Sequence, residues 1–216
     1  MTQAATEASA HARASFRASA DAFITTVEQI TPVDLARPGL GSWSVLELMA
    51  HATRAFLTIR QMVAAGSSGP PPEGSRLLAT PADYFLALPD DPVVHEQIAQ
   101  RGVEAVAALG ADPVAGAVMI AREVLTQVEM TPDDALIVHS TGHADFIVYL
   151  PTRTLELVVH TVDLQRATGQ EIRVDRVALQ DTLHMLVDTA DRADPVALLL
   201  ALTGRQQLPA SYNVLG

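Results

Sequence analysis

The chain has 216 residues, of which 49% are hydrophobic and 18% charged, which is enough for one sizeable hydrophobic core. Its formal net charge is −11 and its 14 basic residues are all arginines, so it offers no basic field for a nucleic acid partner. The sequence has no cysteine, which excludes disulfides and protein thiols, so any sulfur chemistry needs a thiol supplied from outside.

The sequence also lacks the signals of export and of membrane insertion. Its first residues contain no apolar region of the kind found in signal peptides. No apolar run approaches the ~18–20 residues that span a bilayer. We therefore expect a cytoplasmic protein with no membrane partner.

The first half of the sequence predicts helices joined by loops. Apolar residues at helical spacing indicate a helix over residues ~5–30. Ser44, followed three residues later by Glu47, is a capping-box pattern, and it predicts a helix that runs to about Ala65 and stops at Gly66. The composition of residues 66–75 is typical of a loop. Shorter helical stretches are expected at residues 82–88 and ~92–109.

After these, a helix followed by a β-hairpin is expected. Asp112-Pro113 is a helix start signal, and that helix should run to about Met130. Two β-rich runs on either side of Ser140-Thr141-Gly142 predict a hairpin over residues ~134–150.

The last third of the sequence returns to helices. One is expected to begin near Pro151 and end at Gly169, and two more at residues ~175–192 and ~195–203. The predicted fold class is therefore mainly α, a helical bundle with one embedded β-hairpin. We expect residues 1–170 to form the bundle and residues 171–216 to form a helical extension packed on it.

The helix predicted after Pro151 carries a stripe of titratable residues. At ~100° per residue, one narrow face of this helix holds Arg153, Glu156, His160 and Asp163. Glu156 and His160 are four residues apart, so a carboxylate oxygen and an imidazole nitrogen can converge on one divalent metal ion. A third ligand must come from elsewhere. His51 is the best candidate, because it lies at the margin of the apolar stripe of the helix that begins at Ser44.

The same helix has a second polar sector, separated from this stripe by leucines. The sector consists of Thr154, Thr161 and Gln165. A simple amphipathic helix needs only one wet face. We therefore expect one of the two sectors to meet solvent and the other to meet an internal polar site.

The spacing of these residues is also compatible with roles other than metal binding. Glu156 and His160 can form a surface hydrogen bond worth a few tenths of a kcal/mol. His51 can be a partly buried histidine with an ordinary hydrogen bond. Arg153 and Asp163 can support metal ligands or form charge pairs with nearby groups.

Three segments together resemble one family. "GLGSWSVLELMAHATRAF" (residues 39–56) resembles the W-[ST]-V-x-x-L-x-x-H element of the DinB/YfiT-like superfamily. "RTLELVVHTVDLQRATG" (residues 153–169) is similar to the R-x-x-E-x-x-x-H-x-x-D-L element of its actinobacterial branch, typified by the metal-binding domain of mycothiol-dependent maleylpyruvate isomerase. "LLLALTGRQQLP" (residues 198–209) is similar to the tail found in many proteins of this branch.

The resemblance implies a DinB-like four-helix bundle that binds one divalent metal ion. Its motif positions correspond to His51, Glu156 and His160 as the metal ligands. The metal is usually zinc, with nickel or iron as alternatives, because affinity alone discriminates poorly between these metals. Mycothiol is the implied thiol cosubstrate.

Three functions follow as hypotheses. The first is a thiol-dependent transferase or isomerase that acts on a small-molecule electrophile or acid, in which Asp163 orients His160 and Arg153 binds an anionic group or pairs with Glu156. The second is a metal-dependent hydrolase with Asp163, His139 or His143 as general base. The third is a non-catalytic metal-binding protein.

Two further expectations concern the whole chain. Maleylpyruvate isomerase carries a further domain after its bundle, whereas about 45 residues follow Gly169 here, so we do not expect that particular isomerase activity. Bundles of this kind often pair through helix faces, so a second copy of the chain, in a homodimer, is one candidate partner, and the sequence leaves the oligomeric state open.

Overall fold

A computed structural model of the protein describes residues 3–66, 70–71, 73–89, 104–190, 194–210 and 212–215. Within these ranges the chain is mainly helical with one two-stranded antiparallel sheet, which confirms the predicted fold class. The elements are α1 (Gln3–Val27), α2 (Val45–Gly66), α3 (Pro81–Leu86), a 3₁₀ turn (Val106–Leu109), α4 (Pro113–Met130), β1 (Leu136–His139), β2 (Gly142–Asp145), α5 (Phe146–Thr168), α6 (Arg176–Asp188) and α7 (Pro195–Leu202). None of the described helices is both long and apolar enough to cross a membrane.

Four long helices, α1, α2, α4 and α5, form the bundle. Helices α1 and α2 each pack against both α4 and α5. Across the core, the ring of Phe56 lies 5.9 Å from that of Phe16 and 5.4 Å from that of Phe23, between ring centroids. All three rings are fully buried, and buried aromatic side chains contribute strongly to core stability. This packing holds α2 beside α5, the two helices that carry the candidate metal ligands.

The helix starts predicted from capping patterns are confirmed. The amide of Ser44 donates to Oε2 of Glu47 at 2.7 Å, and the amide of Glu47 donates to Oγ of Ser44 at 3.3 Å. At the start of α4, the carboxylate of Asp112 accepts from the amide of Ala115 at 3.1 Å. Each contact satisfies a backbone donor that the helix itself leaves unpaired.

The hairpin is confirmed, but its predicted end and the predicted start of the next helix are wrong. Strands β1 and β2 pair from Leu136 opposite Asp145 to His139 opposite Gly142. Helix α5 begins directly afterwards at Phe146, and Pro151 lies inside it.

Tertiary packing explains the early start of α5. Phe146, Tyr149 and Leu150 are buried at helical spacing, although aromatic and β-branched residues in this segment favour a strand by propensity. The amides of Phe146 and Ile147 donate to the carbonyls of Ala135 at 2.8 Å and Asp133 at 3.0 Å, which caps the new helix. Pro151 then removes only one intrahelical bond, the one to the carbonyl of Ile147.

Of the two polar sectors of α5, the stripe of titratable residues keeps partial solvent exposure, and the other sector is closed off from solvent. Thr154, Thr161 and Gln165 are all buried. Nε2 of Gln165 donates to Oγ1 of Thr26 on α1 at 2.9 Å, so α1 covers this face. Helix α6 packs against both α1 and α5 and closes the same side of the bundle.

A short segment before α3 joins the hairpin and positions α3. The amide of Leu78 donates to the carbonyl of His143 at 2.8 Å, and the amide of His143 donates to the carbonyl of Arg76 at 2.8 Å. Helix α3 consequently packs against α5.

Two earlier expectations are not settled by the described residues. Of the helical stretch predicted at residues ~92–109, residues 92–103 lie outside the described ranges, and the described part ends in the 3₁₀ turn Val106–Leu109. The division into two units near residue 170 stays a prediction.

Candidate metal centre

The structure brings three sequence-predicted residues together. His51 from α2 and Glu156 and His160 from α5 each offer one ligand atom, and these atoms all lie within 4.8 Å of one another. Nε2 of His160 is 3.4 Å from Oε2 of Glu156. The rings of His51 and His160 meet edge to face, with centroids 4.7 Å apart. This is the arrangement that a shared cation requires, although metal binding itself stays a prediction.

The chemistry of these three groups suits a divalent transition metal. Two imidazoles and one carboxylate form a donor set that zinc, iron and nickel accept. Nδ1 of His51 is buried and makes no hydrogen bond to any described residue, and such a group is costly unless it finds a partner. The side chains of His160 and Glu156 remain 14% and 26% exposed, so the cluster keeps some access to solvent. The residues present therefore fit a bound metal ion.

Burial keeps the imidazole of His51 in its neutral form. Burial, followed by the nearby charge of His160, lowers the pKa of His51 to about 4. Its ring is therefore uncharged at neutral pH, the form in which imidazole binds metal ions.

Glu156 and His160 form a charged pair in the absence of metal. Burial alone would raise the pKa of Glu156, but the hydrogen bond from His160 and the charge of Arg153 outweigh it and lower this pKa to about 2. Burial alone would lower the pKa of His160, but its hydrogen bonds with Asp163 and Glu156 outweigh it and raise this pKa to about 9. At neutral pH the metal-free protein therefore carries a proton on His160.

The proton on His160 determines how we expect metal binding to depend on pH. An imidazole binds a metal ion only in its neutral form. Metal binding therefore displaces the proton from His160 at any pH below about 9. At pH values below about 4 it also displaces a proton from His51. Between these values we expect close to one proton released per metal ion, with apparent affinity falling about tenfold per unit decrease in pH. Calorimetry at about pH 7 in buffers of different protonation enthalpy measures this number. Release near zero would contradict the assignment of His160.

Asp163 lies behind His160 in the position expected for an orienting group. Nδ1 of His160 is 3.1 Å from Oδ2 of Asp163. An N–H at Nδ1 that donates to this carboxylate leaves Nε2 free to face Glu156 and His51. Carboxylates placed in this way fix the tautomer and orientation of metal-binding histidines.

Replacing Asp163 therefore tests this orienting role. We expect Asp163→Asn to weaken zinc affinity by about 10–100-fold, because the amide supports the required tautomer poorly. Competition with a chromogenic chelator measures the change. Unaltered affinity in a folded variant would reject the role.

Arg153 lies beside the cluster, held by aromatic rings. It is 6% exposed, and its guanidinium lies 5.0 Å from the ring centroid of Tyr84 and 4.9 Å from that of Tyr149. Nε donates to Oγ1 of Thr152 at 3.0 Å, whereas Nη2 has no hydrogen-bond partner among the described residues. Cation–π contacts stabilise such a desolvated cation without neutralising it.

Sequence reasoning missed three aromatic residues near these groups. Trp43 lies within the first family motif, and its ring lies 4.5 Å from that of His51 between centroids, where it restricts the imidazole. Tyr84 and Tyr149 come from α3 and from the segment interpreted as a strand. No spacing within the sequence links them to Arg153.

The loop before α2 places Trp43. The amide of Gly39 donates to the carbonyl of Trp43 at 2.7 Å. A Cβ at Gly39 would lie 2.7 Å from the carbonyl oxygen of Ser44, so only glycine fits this close approach.

The two hairpin histidines have partners outside the metal-ligand cluster. Nδ1 of His143 is 2.7 Å from Oγ of Ser75, and Nδ1 of His139 is 2.9 Å from Oγ1 of Thr141. The ring of His139 also lies 5.0 Å from that of Tyr84 between centroids. Neither histidine belongs to the cluster formed by His51, Glu156 and His160.

The chain matches a known protein family over more than half of its length. The sequence model of the family described as "Mycothiol maleylpyruvate isomerase N-terminal domain" matches residues 16–165, a range that includes all three clustered residues. No curated protein and no solved structure matches the chain significantly.

Proposed function

Because the chain belongs to the mycothiol maleylpyruvate isomerase N-terminal domain family, we propose that it is a divalent-metal-dependent transferase or isomerase that uses a mycothiol-type thiol. The observation that carries this proposal is the convergence of His51, Glu156 and His160 within 4.8 Å of one another. Three protein ligands are the number found in catalytic zinc sites, which keep one coordination position open.

The thiol group must come from a cosubstrate, since the chain contains no cysteine. A divalent cation held by the three residues supplies a Lewis-acidic position that favours the thiolate form of a thiol at neutral pH. Zinc is the metal we propose, with nickel or iron as alternatives.

The remaining roles belong to side chains around the cluster. Asp163 accepts the hydrogen bond from Nδ1 of His160 and keeps that ring in place. Arg153 presents a buried positive charge whose Nη2 is unpartnered among the described residues. This group suits a carboxylate on an acid substrate, which an arginine binds through paired hydrogen bonds.

Thiol dependence is the experiment that tests the proposal. Zinc-loaded protein is incubated with mycothiol and either 1-chloro-2,4-dinitrobenzene, for thiol transfer, or maleate, for cis–trans isomerisation of an acid other than maleylpyruvate. We expect turnover in at least one reaction that requires the thiol and that His160→Ala reduces by about 100-fold or more. Thiol-free hydrolysis of an ester or amide panel at equal or greater rate would instead support the hydrolase alternative.

A further inference from the structure

A cavity lies on the side of α5 opposite the stripe that carries Glu156 and His160. It has a volume of about 700 Å³ and is enclosed mainly by α1, α5 and α6. Its wall includes Ala8 and Ala12 of α1, Pro151 of α5 and Met185 of α6. A largely apolar cavity of this size falls within the range of small-molecule sites.

The charged side chains that line this cavity are mostly acidic. Five aspartates line it: Asp133, Asp134, Asp145, Asp181 and Asp188. Asp133 pairs with Arg13, and Asp181 lies 3.0 Å from Nε2 of His11. The other three are exposed and form no ion pair with any described residue. No arginine is among the described residues that line the cavity, so its rim is acidic.

Two unsatisfied hydroxyls lie in the buried part of the cavity. Ser15 and Thr154 both line it and are 3% and 2% exposed. Their hydroxyl oxygens have no hydrogen-bond partner in the described part of the chain. Several other buried helical hydroxyls do bond to a backbone carbonyl one turn back, for example Ser19 to that of Phe16 at 2.8 Å and Thr182 to that of Ala178 at 2.8 Å, whereas Thr161 of α5 is unpaired as well. A buried hydroxyl left unpaired costs free energy, so these two call for an external partner.

We propose that this cavity binds a small organic amine with a hydroxyl group at its other end. Its ammonium group lies at the rim near Asp134, Asp145 and Asp188, and its apolar body lies between α1 and α5. The far hydroxyl bonds to Ser15 and Thr154. The acidic rim, the apolar wall and the two unpaired hydroxyls of the cavity are then each matched by one part of the ligand. This site is separate from the candidate metal centre.

A matched set of probes tests this site by calorimetry and by amide chemical shifts in the full chain. Tyramine has the ammonium, ring and hydroxyl; 3-(4-hydroxyphenyl)propionate reverses the head charge; phenethylamine lacks the hydroxyl. We expect tyramine to bind about tenfold or more tightly than the propionate and several-fold more tightly than phenethylamine. Equal affinity for the amine and the acid, or no binding of tyramine at millimolar concentration, would overturn the proposal.

Variants of the chain locate the binding. The double substitution Asp134→Asn with Asp188→Asn should weaken tyramine binding about fivefold or more. The double substitution Asp21→Asn with Glu123→Gln also removes two negative charges, at exposed positions that do not line the cavity, and should alter binding less than about twofold. Ala12→Leu fills the cavity and should abolish binding of all the probes, while bound zinc is retained. Binding that survives Ala12→Leu in the folded protein would overturn the site. If that variant does not fold, the aspartate variants decide the outcome.

Discussion

Alanine in place of His51 or His160 is expected to remove most of the metal from the purified protein. Each variant loses one of the three proposed ligands, so affinity should fall by more than about 100-fold, since loss of an outer partner alone costs about 10–100-fold. Elemental analysis should show about one zinc ion per chain in the unaltered protein and less than roughly a tenth of that in either variant.

Two other histidines provide matched controls for this prediction. His143 lies in the hairpin and contacts Ser75, and His184 is an exposed residue of α6. Alanine at either position should leave the zinc content unchanged. Full zinc retention in His51→Ala or His160→Ala would remove that residue from the metal centre.

Glutamine in place of Glu156 is expected to destabilise even the metal-free protein. The change removes the carboxylate whose negative charge acts on Arg153, which is only 6% exposed, and whose oxygen lies 3.4 Å from Nε2 of His160. His160 keeps its contact with Asp163. Removing one partner of a buried charged group costs about 3–5 kcal/mol, and the partial exposure of Glu156 favours the lower end, about 3 kcal/mol. Chemical denaturation of chelator-treated proteins measures this difference without the contribution of bound metal.

An exposed acid of the same type serves as the control. Glu123 lies 3.8 Å from Arg60 in an ion pair whose side chains are 57% and 50% exposed. Its replacement by glutamine should change the unfolding free energy by less than about 0.5 kcal/mol. A loss below about 1 kcal/mol in Glu156→Gln would show that the carboxylate does not stabilise its buried neighbours.

The helical framework could be predicted because the sequence signals used, caps and helical spacing, act between residues that are also neighbours in the structure. The capping residues Ser44 and Asp112 satisfy amides within their own first turns. Glu156 and His160 likewise meet because one helical turn separates them. Their partner His51 was placed by its position at the edge of the α2 core stripe and by the family resemblance.

Features set by packing between distant segments were not predictable in this way. The start of α5 depends on carbonyls of residues 133 and 135, which accept from its first amides. The burial of Thr154 and Thr161 depends on neighbouring helices. The guanidinium of Arg153 contacts the ring of Tyr84 from α3 and the ring of Tyr149 from its own helix. No repeat or motif in the sequence links these residues.

X-ray absorption spectroscopy at the zinc edge tests the central claim most directly, namely that one imidazole of α2 and an imidazole and a carboxylate of α5 bind the same cation. In the zinc-loaded protein we predict the scattering pattern of two imidazoles, with nitrogen and oxygen ligands at about 2.0–2.2 Å. One imidazole should be lost in any zinc that His51→Ala retains. A zinc environment without imidazole scattering, or one unchanged in that variant, would contradict the account.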